Sequence, residues 1–495
     1  MKIGESACPG CDRSAIAEYV ARHALAVILI LVVPVVVPLM SKNGICAEGT
    51  NRGNRTEEGW SQFRGPNGQG ISESARPPVT FGPGTNIAWT VDCPKGQSSP
   101  CLRGGKVFLT ALNDGKLLVL GFDQTSGRQL WRREVSAEKI EYTHEFGGPA
   151  APTPAANDSL VVAYFGSYGV VAFKHDGTQV WSKPLTPPKN HYGTASSPVV
   201  QGDKALILAD SDDKQSKLIA LRLEDGSVAW STDRPMAAAN WSTPALWRPE
   251  GQPEQLVVLG SRRVVSYDPA TGREQWWCDG FPVETISVPI VGTNMLWICS
   301  SSLGGLPDET YEVMPWARVV EMDRNGDGMV QKSEVPQGQK VVLRPELPKD
   351  NPGYAFPRSF RDMFDGFDGN RDGTLTEAEW DTYFKNYRAR AVPALKAIKP
   401  GGSGDITRTH LAWEMRRGIP EIPSPVRYRG VIYLVRDGGF LEAVRETDGS
   451  VIFNDRLGVA GGYCASPVAA DGRLYIASHS GSIVVVDAGA AQSLD

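Results

Sequence analysis

Past residue 85 the chain alternates short apolar, strand-like runs with polar turns, and the turns share one spacing. "DQTSGRQLW", "KHDGTQVW", "LEDGSVAW" and "DPATGREQW" each set a glycine four residues before a tryptophan: Gly127/Trp131, Gly177/Trp181, Gly226/Trp230 and Gly272/Trp276. "ETDGSVIF" repeats the spacing with Gly449 and Phe453. The glycine permits the positive φ of a hairpin turn, and an aromatic on the following strand packs between sheets. A second marker is a proline closing a small "SSP"-like triplet, at Pro100, Pro154, Pro198, Pro244, Pro289, Pro425 and Pro467. The steps between them run from 42 to 54 residues, apart from one of 136. A repeat of that length holding about four short strands is a propeller blade. Seven markers predict an all-β, seven-bladed propeller, with eight blades as the alternative.

The long step exceeds a blade by about 90 residues. It contains no further turn-and-tryptophan unit, and strands resume at "ALKAIKPGG". The propeller is therefore expected over 60–303 and 395–490, with a guest domain at 304–394 inside the fifth repeat. Closing the ring needs one more strand, because only "AAQSLD" follows the strand "SIVVVDAG". The segment "NIAWTVD", with Trp89, is expected to supply the outer strand of the final blade, since an open edge invites aggregation.

Two loops in the guest segment have the chemistry of a cation site. Calcium takes six to eight oxygens, and a twelve-residue loop wraps it from positions 1, 3, 5, 7, 9 and 12 with glycine at 6. In "DRNGDGMVQKSE" these are Asp323, Asn325, Asp327, the Met329 carbonyl, Gln331 (through water) and Glu334, with Gly328 as the turn. In "DGNRDGTLTEAE" they are Asp368, Asn370, Asp372, the Thr374 carbonyl, Thr376 and Glu379, with Gly373. Val330 and Leu375 occupy the apolar eighth position that lets two such loops pair. Both loops resemble EF-hands, so two calcium ions are the expected cofactors. Phe360, Met363, Phe364 and Phe367 before the second loop recur at helical spacing, as do Trp380, Tyr383, Phe384 and Tyr387 after it. Around the first loop, Pro315 limits the entering helix to "WARVVEM" and Pro336 stops the exit helix at once.

Composition narrows the partners. The 495 residues carry a net charge of −5, which gives no basic field for nucleic acid. Residues 1–47 include seventeen uncharged residues, from Ala24 to Met40, behind Lys2, Arg13 and Arg22. They read as a signal peptide or membrane anchor, hence an exported, periplasmic or cell-envelope protein with an unidentified envelope or protein partner. Of eight cysteines, Cys93 and Cys101 are close enough in sequence to pair across a turn. "CPGC" at 8–11 has redox or metal spacing but stands alone within the leader. His144, Glu145, His191, Asn240, Trp241 and Glu284 lie just before inner strands and are expected at one channel mouth. They could hold a ligand there or simply bind neighbouring strand ends.

"WSQFRGPNGQG" followed by these Gly/Trp repeats resembles the bacterial PQQ-like propeller repeat family, related in fold to quinoprotein alcohol dehydrogenases and to the outer-membrane assembly lipoprotein. The resemblance implies the scaffold and not the quinone. The dehydrogenases' adjacent-cysteine disulfide has no counterpart here, and their catalytic aspartate and calcium set do not map onto this chain by motif. PQQ is accordingly not expected. The favoured reading is an exported, calcium-binding propeller that acts as a non-catalytic binding or scaffold module. The alternatives are a PQQ-dependent periplasmic dehydrogenase and another enzyme, such as a hydrolase, using the channel mouth.

Overall fold

The computed structural model describes residues 59–143, 147–190, 192–301, 314–342, 359–390 (side chains of 386–390 excepted), 393–459 and 461–489. The leader with "CPGC", together with His144, Glu145 and His191, lies outside them. The described residues form seven sheets of four strands, one with a fifth added, and a two-stranded ribbon. The sheets follow one another along the chain at 101–135, 155–184, 199–233, 245–279, 290–415, 426–456 and 468–487. First strands adjoin between sheets one and two, two and three, four and five, and six and seven, which marks them as the inner strands. The arrangement is consistent with a PQQ-like β-propeller.

Side chains alternate across each strand, so every sheet offers an apolar set to each neighbour. Separate buried clusters fill the gaps between sheets one and two (Phe108, Trp131, Phe173), two and three (Tyr164, Trp181, Leu221) and so on round to six and seven (Tyr433, Tyr463, Leu474). Burial on both faces explains the unbroken apolar runs of the middle strands.

The aromatic of the repeat covers the glycine turn of the next sheet rather than its own. Trp131 lies on Gly177, Trp181 on Gly226, Trp230 on Gly272 and Trp413 on Gly449. Each indole N–H donates to a carbonyl just before that glycine: His175, Leu223, Pro269 and Glu446. A Cβ at Gly226 would fall 2.6 Å from the Trp181 ring, at a φ of +72°. Glycine is thus required there for space as well as for backbone conformation. Trp276 departs from the pattern. The turn it would meet is replaced by 399–410, and its indole bonds Gln255 in its own sheet.

The residue before each marker proline links the inner strands. The backbone N–H of Ser99 donates to Thr153 Oγ1, Thr153 to Ser197 Oγ, and Ser197 to Thr243 Oγ1, at 2.9–3.0 Å. Val288 has no hydroxyl to continue the series, and Ser242 Oγ–H bonds the Ser287 carbonyl instead. The series resumes from Val288 N–H to Ser424 Oγ and from Ser424 N–H to Ser466 Oγ.

One expectation is corrected. Residues 87–94 form no strand. The added strand of the seventh sheet is Ile71–Ser72, which joins the inner edge, parallel to Val468–Ala470. Trp89 is held by the first sheet: its indole donates to the Gln124 carbonyl at 3.0 Å and covers Gly127, as the other docking tryptophans do. Cys93 and Cys101 are both free thiols. Cys101 faces the cluster between sheets one and two, whereas Cys93 packs with Leu102 on the opposite face of the first sheet. Strand alternation separates them.

In the fifth sheet Leu296–Ser300 pairs with Ala394–Ile398, and Ser300 stands opposite Ala394. The chain therefore leaves and re-enters the sheet at facing positions. The described residues of the intervening segment have their own core, built on Val319, Phe360, Phe364, Phe367, Trp380 and Phe384.

Candidate metal loops and a buried polar cluster

The two acidic loops are joined by a short ribbon, and helices flank the second on both sides. Trp316–Val319 and the 3-10 turn Val320–Met322 lead into the first loop, and no helix follows it among the described residues. Phe360–Phe367, capped by the Ser359 side chain on the Asp362 N–H, leads into the second loop, and Glu377–Arg390 leaves it. Val330 pairs with Leu375 and Gln331 with Thr374. The aromatic residues at helical spacing converge: Phe360 stacks on Trp380 with centroids 5.5 Å apart, and Phe367 meets Tyr383 edge-on at 4.7 Å. The Tyr387 side chain lies outside those described.

Within the loops, acidic side chains turn inward onto the loop's own N–H groups. Asp323 accepts from Gly326 and Gly328 at 2.7 and 2.8 Å. Glu334 accepts from Arg324, Asn325 and Gln331. In the second loop Asp368 Oδ2 accepts from Gly373, and Glu379 from Asn370 and Thr376. Hydrogen bonds from Met329 N–H, Asn325 and Gln331 hold Asp327 below the usual carboxylate range; Thr374 and Asn370 do the same for Asp372. Asp368 is 3% exposed, and its Oδ1 has no partner among the described residues. Among those residues no three His, Cys, Asp or Glu side chains gather as a metal cluster. These loops would use Asn, Gln and Thr oxygens and carbonyls as well.

A second polar concentration lies where loops run from the outer strand of one sheet to the inner strand of the next. Asn240 and Trp241 are buried and Glu284 half-buried. Trp241 donates its indole N–H to the Gly193 carbonyl at 2.8 Å and meets Tyr192 edge-on, so its role is packing. Asn240 donates to Asp210. Asp210 and Arg234 form a fully buried two-pronged ion pair at 2.8 and 3.0 Å, and Arg234 also donates to the Tyr267 hydroxyl. Burial opposes the charge on Arg234, but Asp210 and Tyr267 raise its pKa on balance. Neither residue belongs to the glycine turns, the proline triplets or the acidic loops, so neither carries a signal in sequence.

Glu141, between the first two sheets, is also new. Its Oε2 accepts from the Thr194 N–H and hydroxyl at 3.3 and 3.1 Å, while Oε1 has no partner among the described residues. Burial pushes its carboxyl up to about 7, against hydrogen bonds from Thr194 and Ser167 that lower it. A carboxyl whose folded pKa is raised contributes stability below its unfolded pKa near 4.5 and loses it as pH rises through 7. Thermal melts should therefore show wild type losing stability between about pH 4.5 and 7 relative to Glu141→Gln. Parallel profiles would show that Glu141 does not titrate in this window.

Over residues 86–253 the chain matches the family model described as outer membrane protein assembly factor BamB. That stretch holds three of the four Gly/Trp repeats, those ending at Trp131, Trp181 and Trp230. Among solved structures, BamB from Moraxella catarrhalis is 11% identical at a TM-score of 0.47, covering 81% of this chain and 85% of that one. A europium-containing methanol dehydrogenase is also 11% identical, at 0.46, over 83% of this chain and 79% of its own. A quinohemoprotein alcohol dehydrogenase from Pseudomonas putida HK5 is 14% identical at 0.39, over 85% and 75%. No curated protein sequence matches the chain. Among the described residues no helix is long and apolar enough to cross a membrane.

Proposed function

We propose that this chain is an exported seven-bladed propeller carrying a calcium-binding EF-hand pair, and that it acts as a non-catalytic binding or scaffold module for a protein of the cell envelope. The observation that carries the calcium reading is Asp368. A carboxylate at the first loop position, 3% exposed and with Oδ1 unpartnered, is costly unless a cation meets it. Asn370, Asp372, the Thr374 carbonyl, Thr376 and Glu379 would complete that site. Asp323, Asn325, Asp327, the Met329 carbonyl, Gln331 and Glu334 would form the other. The ribbon pairing of Val330 with Leu375 supports a coupled pair. Bound calcium would supply positive charge against six carboxylates, ordering the loops. The separate core of the inserted segment supports its role as a hung module.

Isothermal titration should find two calcium ions bound. Glu379→Gln should weaken one site by about tenfold or more through loss of a bidentate charge. With a Kd of ~10⁻⁴ M at each site, ~1 mM calcium should stabilise the module by ~1.4 kcal/mol per site, ~2.8 kcal/mol for both, and barely move the propeller's own transition. Absence of binding at millimolar calcium would end the calcium reading. Dye-linked alcohol oxidation after addition of quinone should stay at background, and turnover would favour the dehydrogenase alternative.

A further inference from the structure

We propose that the inner-strand end of the ring is a peptide-recognition site, filled in cis by residues 60–70, that reads an arginine, an asparagine three residues on and a glutamine two beyond that. The segment "WSQFRGPNGQG" crosses six of the seven sheets. The Trp60 carbonyl accepts from Leu102 N–H in the first sheet, and the Ser61 carbonyl from Ala156 N–H in the second. Asn67 meets Leu246 of the fourth sheet with both ends of its amide, donating to the carbonyl at 2.6 Å and accepting from the N–H at 3.1 Å. Gln69 does the same across Pro289 O and Val291 N–H of the fifth, at 3.2 and 2.9 Å. Arg64 donates to the Ser424 and Pro425 carbonyls at the sixth, at 3.1 and 2.9 Å. The Gly70 carbonyl accepts from Ala469 N–H of the seventh.

Each amide side chain thus offers a donor and an acceptor to an inner strand, as a neighbouring strand would, and satisfies backbone groups that face the axis. Arg64 is the centre of the recognition. It is buried, no carboxylate pairs with it among the described residues, and it also bonds the Gly68 and Gln69 carbonyls of its own segment. A guanidinium held by a fan of carbonyls is directional and is not replaced by an ammonium or an apolar chain.

Two features separate this from ordinary core packing. None of residues 60–70 belongs to an apolar core cluster, so the attachments are polar and specific to these side chains. The segment also holds its own shape. Its Gly65, Gly68 and Gly70 N–H groups bond within it, Arg64, Gly65, Asn67, Gly68 and Gly70 all have positive φ, and the Trp60 ring closes over Gly65. A preorganised knot loses little freedom on docking, which favours binding through few contacts.

The test uses the full chain with a specific protease site placed at 73–74, an exposed pair just before the anchors of Arg76 to Asp471 and Pro77 to Tyr475, so that those anchors stay with the ring. After cleavage, size-exclusion chromatography should show the N-terminal fragment retained by the ring. Arg64→Met should release it, and so should the double change Asn67→Ala/Gln69→Ala, which leaves the guanidinium in place if Arg64→Met fails to fold. An excess of synthetic peptide 59–72 should displace the cleaved fragment, while the same peptide carrying Arg64→Met should not. Loss of the wild-type fragment on cleavage would overturn the proposal. Retention by the double variant would overturn it too, since the fragment would then be held without the side-chain recognition.

Discussion

Trp181→Ala is expected to destabilise the protein by about 3–5 kcal/mol. The side chain is 6% exposed, its N–H bonds the Leu223 carbonyl at 2.7 Å, and its ring covers Gly226 of the next sheet. The substitution removes a large apolar surface, opens a cavity between the second and third sheets, and leaves a carbonyl unpartnered. Because the Gly226 turn is shaped around the indole, the site has little room to collapse. Equilibrium denaturation should show the full loss in Trp181→Ala. A smaller loss is expected in Trp413→Ala, whose ring is only half-buried. A change below about 1 kcal/mol in Trp181→Ala would mean that docking does not couple neighbouring sheets.

Arg234→Met should cost a similar amount, about 3–5 kcal/mol, for an electrostatic reason. Asp210 is completely buried and accepts from Arg234 and Asn240. Without the guanidinium, its charge stays in a low-dielectric site with one neutral donor. Adding Asp210→Asn to Arg234→Met removes the stranded charge and should recover much of the loss. A double-mutant cycle with coupling near zero would show that the pair does not act as a unit.

The repeat was legible because its signals are short-range. Gly127 and Trp131 are four residues apart, and a turn glycine followed by a strand aromatic can be read within one window. The same holds for Phe360, Phe364 and Phe367, whose helical spacing anticipated a shared buried face, and for Val330 and Leu375, which pair as their loop position implied. Trp89 shows the limit of that reasoning. The sequence points to an outer strand of the final blade around Trp89, whereas the structure has only its indole docked on the first sheet. Cys93 and Cys101 are close in sequence yet unpaired, since proximity along the chain says nothing about which face of the sheet each occupies.

The strand-rich repeat, the place where it is interrupted, and two loops with an oxygen-bearing residue or carbonyl at each position a cation loop uses can all be read along the chain. These follow from local periodicity, turn conformation and residue type. Only the tertiary structure decided which turn each tryptophan covers, that Asp210 meets Arg234, and that Arg64 reaches Pro425. The last contact spans 361 residues. Such partners are set by the order and closure of the sheets, which bring distant inner strands to one axis. A polar side chain there is buried by neighbours it cannot specify on its own, so its environment exists only once the ring has formed.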